Sequence, residues 1–313
     1  MDFDNRALRR LKLADLRVFH AVVQWGGMAK AAVNLNISQP AVSRSIAALE
    51  HTLGVRLLDR NASGVEPTLY GRALLKGSVA VFDELSQCTK EIEFLADPSA
   101  GVLRIGCNET VAAGLLPAII DRFSRQHPHV TFHIEIGTPA TLQSRELRER
   151  NCDLVLTRLV PAAEPDMETE TLFDEELVVV AAPRSKWATR RRIRLADLVD
   201  EPWILVPHEV MEDSPVAQAF RAQGLGLPQA RLVGFSQHIR HGLLATGRFL
   251  TVVPSSVLRF GAGRVFFKAL PVRLPDQPRP VVVITVKGRT LSPVAKLFIA
   301  CAREVSKPLA QGR

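Results

Sequence analysis

The stretch from Ala29 to Glu50 constrains this chain more than any other part of it. Ala29, Ala32 and Leu35 put small and apolar residues on one face of a short helix, where a neighbouring helix can cross closely. Ser38 is a natural N-cap for a second helix. Pro40 is tolerated in its first turn, where a backbone N–H has no intrahelical acceptor. Val42, Ile46, Leu49 and Leu53 then recur at spacings of four, three and four, so they face inward. Gln39, Pro40, Ser43 and Arg44 are left on the exposed face near the N-terminus. Two short helices joined by a tight turn, with Ser, Gln and Arg at the tip of the second, present a recognition helix to the major groove of DNA.

The flanks extend this unit. Leu13, Leu16, Phe19 and Val23 form the apolar stripe of a preceding helix that ends at Trp25-Gly26-Gly27. Gly54 stops the second helix, and Leu57 to Arg60, the turn Asn61 to Gly64 and Val65 to Pro67 read as a two-stranded wing. Residues 11–67 are thus predicted to be an all-α winged helix-turn-helix domain. Thr68 caps a long helix, and residues 68–97 form a linker helix. Along it Leu74, Ser78, Val81, Leu85, Cys88, Ile92 and Leu95 alternate spacings of four and three, a heptad seam. One helix cannot bury such a seam alone, so a homodimer is expected.

After the linker Asp97 to Gly101, short apolar strands alternate with amphipathic helices through residues 101–306, for example around Leu115 to Arg125 and Leu142 to Arg150. Strand candidates are Val102–Gly106, Val130–Ile136, Cys152–Thr157, Leu177–Ala182, Trp203–Val206, Ala230–Gly234, Phe249–Val253 and Val281–Val286. That alternation predicts a mostly parallel α/β architecture. The break at Pro161 to Pro165 favours two lobes, with lobe I over 101–161 and 268–306 and lobe II over 165–267. Ligands of such folds sit at the carboxyl ends of strands and at helix N-termini.

Composition narrows the class. The chain is 47% apolar and 23% charged, which suits packed globular domains, and no apolar run is long enough to cross a bilayer. The first residues lack a basic-then-apolar leader pattern, which points to the cytoplasm and away from membranes. The net charge of +8 suits a polyanionic partner, and residues 1–76 hold 11 Lys and Arg against 6 Asp and Glu. A second basic cluster, Arg184 to Arg194 beside Trp187, reads as a solvated loop. The four cysteines (Cys88, Cys107, Cys152, Cys301) lack metal-site spacing and read as reduced thiols. Cys107 lies near the expected cleft, but with no resolving cysteine nearby a redox role is disfavoured. His127, His129 and His133 share strand parity and His238 and His241 are one helical turn apart, yet neither set supplies a converging ligand shell. No metal or cofactor is expected. An α/β enzyme or solute-binding module fused to a DNA-targeting domain is the rival reading. It finds no GxSxG, P-loop or strand-to-helix GxGxxG, so no catalysis is implied.

The quoted residues resemble the LysR-type transcriptional regulators of bacteria. The likeness rests on Ala31, Ala32, Leu35, Ser38 to Arg44, Ile46, Leu49, Glu50, Leu53 and Gly54, and continues through Leu57 to Arg60 and Thr68 with Gly71. It returns at Leu103 to Gly106, Leu115 to Pro117, His127-Pro128, Cys152 to Leu156 and Val252 to Pro254. The segments Gly137 to Thr141 and Leu244 to Thr251 resemble the galactose-binding-protein regulator subgroup. Two positions depart from the family: Gly26-Gly27 replaces the usual Gly-Ser, removing a hydroxyl cap, and Leu58 stands where Phe is common. The resemblance implies a two-lobed effector domain like a periplasmic binding protein, with a small-molecule co-inducer between the lobes. It also implies an interrupted palindromic operator, contact with RNA polymerase and a dimer or tetramer.

With that pattern around them, Gln39, Ser43 and Arg44 read as DNA contacts rather than ordinary helix-surface residues. Gln suits adenine, and Arg suits guanine or phosphate. Ser38 and Pro40 complete the tip, and Arg60 on the wing suits a backbone phosphate. For the effector, Thr110 stands where the family places a ligand-binding Ser or Thr. Asn108, Thr138 and Arg158 also follow strand ends, with Pro207, His208 and Ser236 as candidates from lobe II. Each has an alternative role as a cap, turn or surface charge. An Arg158 facing the cleft favours an anionic effector, and a sugar-related one suits the subgroup resemblance.

Overall fold

The computed structural model describes residues 10–61, 64–158, 164–260, 266–272, 274 and 278–310, the side chains of Arg60 and Asn61 excepted. It divides into two compact units, Met1–Ser86 and Gln87–Arg313.

In the first unit α1 (Leu13–Trp25), α2 (Met28–Leu35) and α3 (Gln39–Leu53) are followed by the wing strands β1 (Leu58–Asn61) and β2 (Gly64–Pro67). Leu16, Phe19, Ala32, Val42, Ile46 and Leu49 are buried in its core, as the helical spacing predicts, together with Val22, Ala31 and Leu57, which it does not single out. Leu13 and Ala29, expected to face a neighbouring helix, are exposed. The turns are set by backbone chirality. Gly26 ends α1 at φ 67° and Asn36 ends α2 at φ 54°, left-handed conformations that Gly and Asn adopt most readily. Gly27 caps α2 without a side-chain hydrogen bond, as expected from the missing serine.

The long helix α4 (Leu69–Ala96) begins with Thr68 as its cap: its hydroxyl accepts from Gly71 N at 3.0 Å and donates to Arg56 O at 2.8 Å. A Cβ on Gly71 would collide with Leu57 O, so only glycine lets the helix start so close to the residue that leads into β1. The seam is shorter than its sequence suggests. Leu74 packs on the first unit's core and Ser78 is buried, whereas Val81, Leu85, Cys88, Ile92 and Leu95 are exposed. The first turns of α4 have already spent their apolar face on their own unit.

The second unit contains two five-stranded sheets. Sheet I runs β4 (His129–Ile136), β3 (Ala100–Cys107), β5 (Leu154–Arg158), β12 (Arg279–Val286), β6 (Met167–Glu175). Sheet II runs β11 (Lys268–Ala269), β7 (Leu177–Ala181), β10 (Leu250–Pro254), β8 (Trp203–Leu205), β9 (Ala230–Val233). Helices α5 (Glu109–Ala113), α6 (Leu115–Ser124) and α11 (Pro293–Ala310) attach to lobe I. Lobe II carries α8 (Pro215–Arg221), α9 (Gln237–Leu244) and α10 (Ser255–Arg259), and α7 is the single turn Pro139–Thr141. Each lobe has its own core, around Leu103, Ile105, Phe123 and Phe298 in one and Trp203, Val216, Phe220 and Leu250 in the other.

Three expectations are corrected. The sheets are mixed rather than mostly parallel: β3 is parallel to β4 and β5, but β12 runs antiparallel to both β5 and β6. The helix expected from Leu142 is a π-helical stretch, Leu142–Leu147. The lobe limits also shift. β6, placed in lobe II, belongs to sheet I through its ladder with β12, and β11, placed in lobe I, pairs with β7 of sheet II. The chain therefore crosses between sheets at Glu176, not at Pro161 to Pro165, of which 161–163 lie outside the described residues. Strand β6 escaped the sequence reading because Glu168, Glu170 and the threonines dilute its apolar alternation, as suits an edge strand with one wet face.

Candidate functional site

The tip of α3 is a capped, exposed helix N-terminus. Ser38 holds extended backbone (φ −76°, ψ 146°), and its Oγ accepts from Ala41 N at 3.3 Å. Ser38, Gln39, Pro40 and Arg44 are exposed, beside backbone donors of the first helical turn that have no intrahelical acceptor. Ser43 is half-buried, its hydroxyl donating to Met28 Sδ at 3.3 Å, so it is tied to α2 as well as lying on this face. Glu50 at the far end of α3 accepts from Leu57 N at 2.8 Å and thereby fixes the recognition helix to the wing. The Arg60 side chain lies outside the described residues.

The carboxyl ends of the parallel strands meet at the junction of the lobes. Asn108 follows β3 and caps α5, its Oδ1 accepting from Val111 N at 3.2 Å, with Thr110 half-buried in the next turn. Arg158 ends β5, is buried, and donates to Glu175 O at 3.4 Å. Glu175 at the end of β6 reaches across, its Oε1 accepting from Ser256 N of lobe II at 3.0 Å. From lobe II come Pro207 and His208, both exposed in the turn after β8, and the buried Glu209, which accepts from Val206 N at 2.8 Å. Ser236 caps α9, its Oγ accepting from Ile239 N at 3.4 Å, and one turn later Arg240 is 1% exposed. Thr138 also lies at this edge of sheet I, but it is exposed and caps its own turn, accepting from Thr141 N at 3.2 Å.

These groups form one electrostatic cluster drawn from both lobes. Burial pushes the Glu209 carboxyl up to about 7, against the opposing pull of Arg240, the Val206 N–H and Arg158. Burial likewise raises Glu175, while the Ser256 N–H and Arg158 lower it. His208 is held below the usual imidazole range by desolvation and by the positive Arg158, Arg279 and Arg240. Burial also depresses Arg240, opposed by Glu209 of its own lobe and Glu109 of the other. Such mutual perturbation at a strand-end junction marks a candidate functional site.

Comparison with known proteins decides the family. Residues 96–307 match the LysR substrate binding domain, and residues 13–72 match the bacterial regulatory helix-turn-helix protein, lysR family. The chain belongs to the LysR family. It is a transcriptional regulator with a DNA-binding helix-turn-helix domain and an effector-binding domain, and regulators of this family bind DNA and small-molecule effectors. It is 32% identical over 291 residues to the SDS degradation transcriptional activation protein of Pseudomonas sp. (strain ATCC 19151), covering 91% of this chain and 93% of that one. It is 29% identical over 304 residues to the regulator GbpR of Azospirillum brasilense, covering 95% and 87%. A cysteine-to-aspartate variant of full-length OxyR from Pseudomonas aeruginosa shares the fold at TM-score 0.61 and 22% identity, covering 95% of each chain. The LysR regulator CbnR does so at 0.54 and 24%, covering 93% and 100%. Relatives of unlike names are thus about equally similar, and identity alone does not select a subgroup.

Within this LysR fold Asn108, Thr110 and Arg158 follow strand ends of lobe I, Arg158 acts on His208 of lobe II, and His208, Ser236, Thr138 and Pro207 are exposed. Sequence reading missed Arg240, Glu209 and Glu175. Arg240 sits in an amphipathic helix where an arginine ordinarily faces water, yet it is buried and its Nη1 donates to Val252 O of β10. Burial pushes the Cys107 and Cys152 thiols up to about 12, which leaves almost no thiolate at neutral pH. No group of three His, Cys, Asp or Glu side chains that could hold a metal occurs among the described residues. Arg184, Lys186, Arg190, Arg191, Arg192 and Arg194 are all exposed; Lys186 pairs with Glu201 at 2.6 Å, and Arg194 pairs with Asp197 at 2.6 Å. No helix among the described residues is long and apolar enough to cross a membrane. A cavity of about 490 Å³ between β6, β12 and α11 lies away from the strand ends, and its Arg303 is already paired with Glu170.

Proposed function

We propose that this regulator reads an interrupted palindromic operator through Ser38, Gln39, Pro40, Ser43 and Arg44, with Arg60 of the wing on phosphate. The observation that carries this reading is the exposed tip of α3, where Gln39 and Arg44 stand beside a capped helix N-terminus. The exposed apolar seam of α4 from Val81 to Leu95 supports assembly as a homodimer, the smallest unit that reads a palindrome, and pairs of dimers make the tetramer. A small-molecule effector binds between the lobes against Asn108, Thr110, Arg158, His208 and Ser236, with Thr138 and Pro207 at the rim. Its binding changes how the bound protein meets RNA polymerase in the cytoplasm. No catalytic step is assigned to the chain.

The test is to sequence the genomic fragments that the purified protein retains. An enriched palindromic site, lost by Arg44→Ala, is the expected result. Salt-sensitive retention with no enriched site would show only charge-driven binding and would overturn the assignment of α3.

A further inference from the structure

Arg240, buried at the lobe junction, has donors that are visibly unmatched. Its Nη1 donates to Val252 O at 3.4 Å, while Nε and Nη2 are buried with no hydrogen-bond partner among the described residues. No carboxylate of the described residues lies within ion-pairing distance of it; Glu209 and Glu109 act only as more distant counter-charges. A guanidinium buried in this way is costly, because its N–H groups have lost water and gained no acceptor. The unmatched pair is also the informative one. Nε–H and the outer Nη2–H lie on a single edge of the planar group, and two parallel donors there match the two oxygens of a carboxylate or phosphate.

The surroundings favour the same ligand charge. Arg158 and Arg279 face His208 from lobe I, and Arg240 faces it from lobe II. Of the carboxylates nearby, Glu209 and Glu175 are both pushed by burial toward their neutral forms. Three arginines, Arg158, Arg279 and Arg240, thus face Glu109 and two carboxylates shifted toward neutral, around a guanidinium edge that is itself closed to water.

We propose that Arg240 is the oxyanion anchor of the effector cleft, engaging the carboxylate or phosphate group of an anionic effector through Nε–H and Nη2–H. This rests on the reading of the lobe junction as the effector site. Because both donors are closed off from solvent here, engaging the effector requires a rearrangement around Arg240. The neutral remainder of the effector lies toward Asn108, Thr110 and Ser236. A purely neutral sugar would leave the guanidinium edge without an acceptor of opposite charge, so the sugar-related alternative requires an acidic sugar or a sugar phosphate.

The experiment is thermal unfolding and calorimetric titration of the full-length protein with acetate, succinate, benzoate, inorganic phosphate and galactose, at constant ionic strength. Wild type is compared with Arg240→Gln and Arg240→Lys. At least one oxyanion is expected to stabilise wild type. Its affinity should fall by roughly 100-fold in Arg240→Gln and roughly 10-fold in Arg240→Lys, which keeps the charge and loses the fork. Carboxylates acting without phosphate, or the reverse, would separate the two ligand sources. The proposal is overturned if no oxyanion stabilises wild type, if Arg240→Gln responds as wild type does, or if galactose alone binds. Retention of genomic fragments is measured in parallel on the same samples. Loss of the anion response with retained DNA selection isolates Arg240, whereas absence of DNA selection in wild type indicts the regulator reading instead.

Discussion

Lys90 Nζ lies 3.1 Å from Asp153 Oδ1, so the final turns of α4 are fastened to the start of β5. The same carboxylate accepts from Arg104 N at 2.9 Å and from the Arg289 guanidinium at 3.2 Å. Arg289 is fully buried and also donates to Cys152 O at 2.7 Å. Asp153 thus balances a cation that has no access to water. Asp153→Ala is expected to cost about 3–5 kcal/mol, because it takes a carboxylate from a fully buried guanidinium and from the Arg104 N–H, whereas Lys90→Ala should cost less, since Lys90 keeps some access to water. Urea unfolding of the two variants checks the difference; equal losses would show that Arg289 does not depend on Asp153.

Gly71→Ala should destabilise the winged domain although alanine is the better helix former. The new Cβ meets a backbone oxygen, Leu57 O, and not the movable end of a side chain. Overpacking of this kind costs about 1–3 kcal/mol, more than the roughly 1 kcal/mol that propensity would return. A lower melting temperature together with weaker DNA retention is the expected pair of results, and an unchanged or raised melting temperature would refute the close approach.

The Glu209 carboxyl, held near pH 7, makes stability depend on pH with a definite sign. Its folded value lies above its ordinary one of 4.5, so between those values the folded state binds the extra proton. Its contribution is therefore present at acid pH and is lost as pH rises from about 4.5 through about 7, by about 3 kcal/mol across the window. Glu209→Gln keeps an oxygen for Val206 N–H and removes the titration. Denaturant unfolding from pH 5 to 8 should show the variant gaining on wild type as pH rises; parallel curves would exclude the effect.

Cys88 lies at the centre of the exposed seam, seven residues from both Val81 and Leu95. A symmetric pair of α4 helices centred on that seam brings the two Cys88 thiols together, so mild oxidation should give a disulfide-linked dimer. Cys107 and Cys152, with thiols near 12, should resist alkylation in the native protein. Adding Val81→Cys and Leu95→Cys to a Cys88→Ser background reports orientation: cross-linking of the mixed pair marks an antiparallel arrangement, and cross-linking of each variant with itself a parallel one. Failure of every variant to cross-link would remove the seam as the dimer interface.

The sequence by itself determined the elements whose signal is local. Capping at Ser38 and Thr68, left-handed turns at Gly26 and Asn36, and the inward spacing of Val42, Ile46 and Leu49 are fixed within a few residues. These place the recognition helix and the start of α4 without reference to the rest of the chain. The strand ends that carry Asn108, Thr110 and Arg158 were legible for the same reason, as apolar runs followed by caps. Tertiary structure alone decided which strands pair, because β6 with its three glutamates, one of them buried, joins sheet I only through β12, more than a hundred residues away. It also decided that Arg240, Glu175 and Glu209 are buried together. Burial of a charged side chain is a property of what packs over it, and no spacing along α9 records that packing.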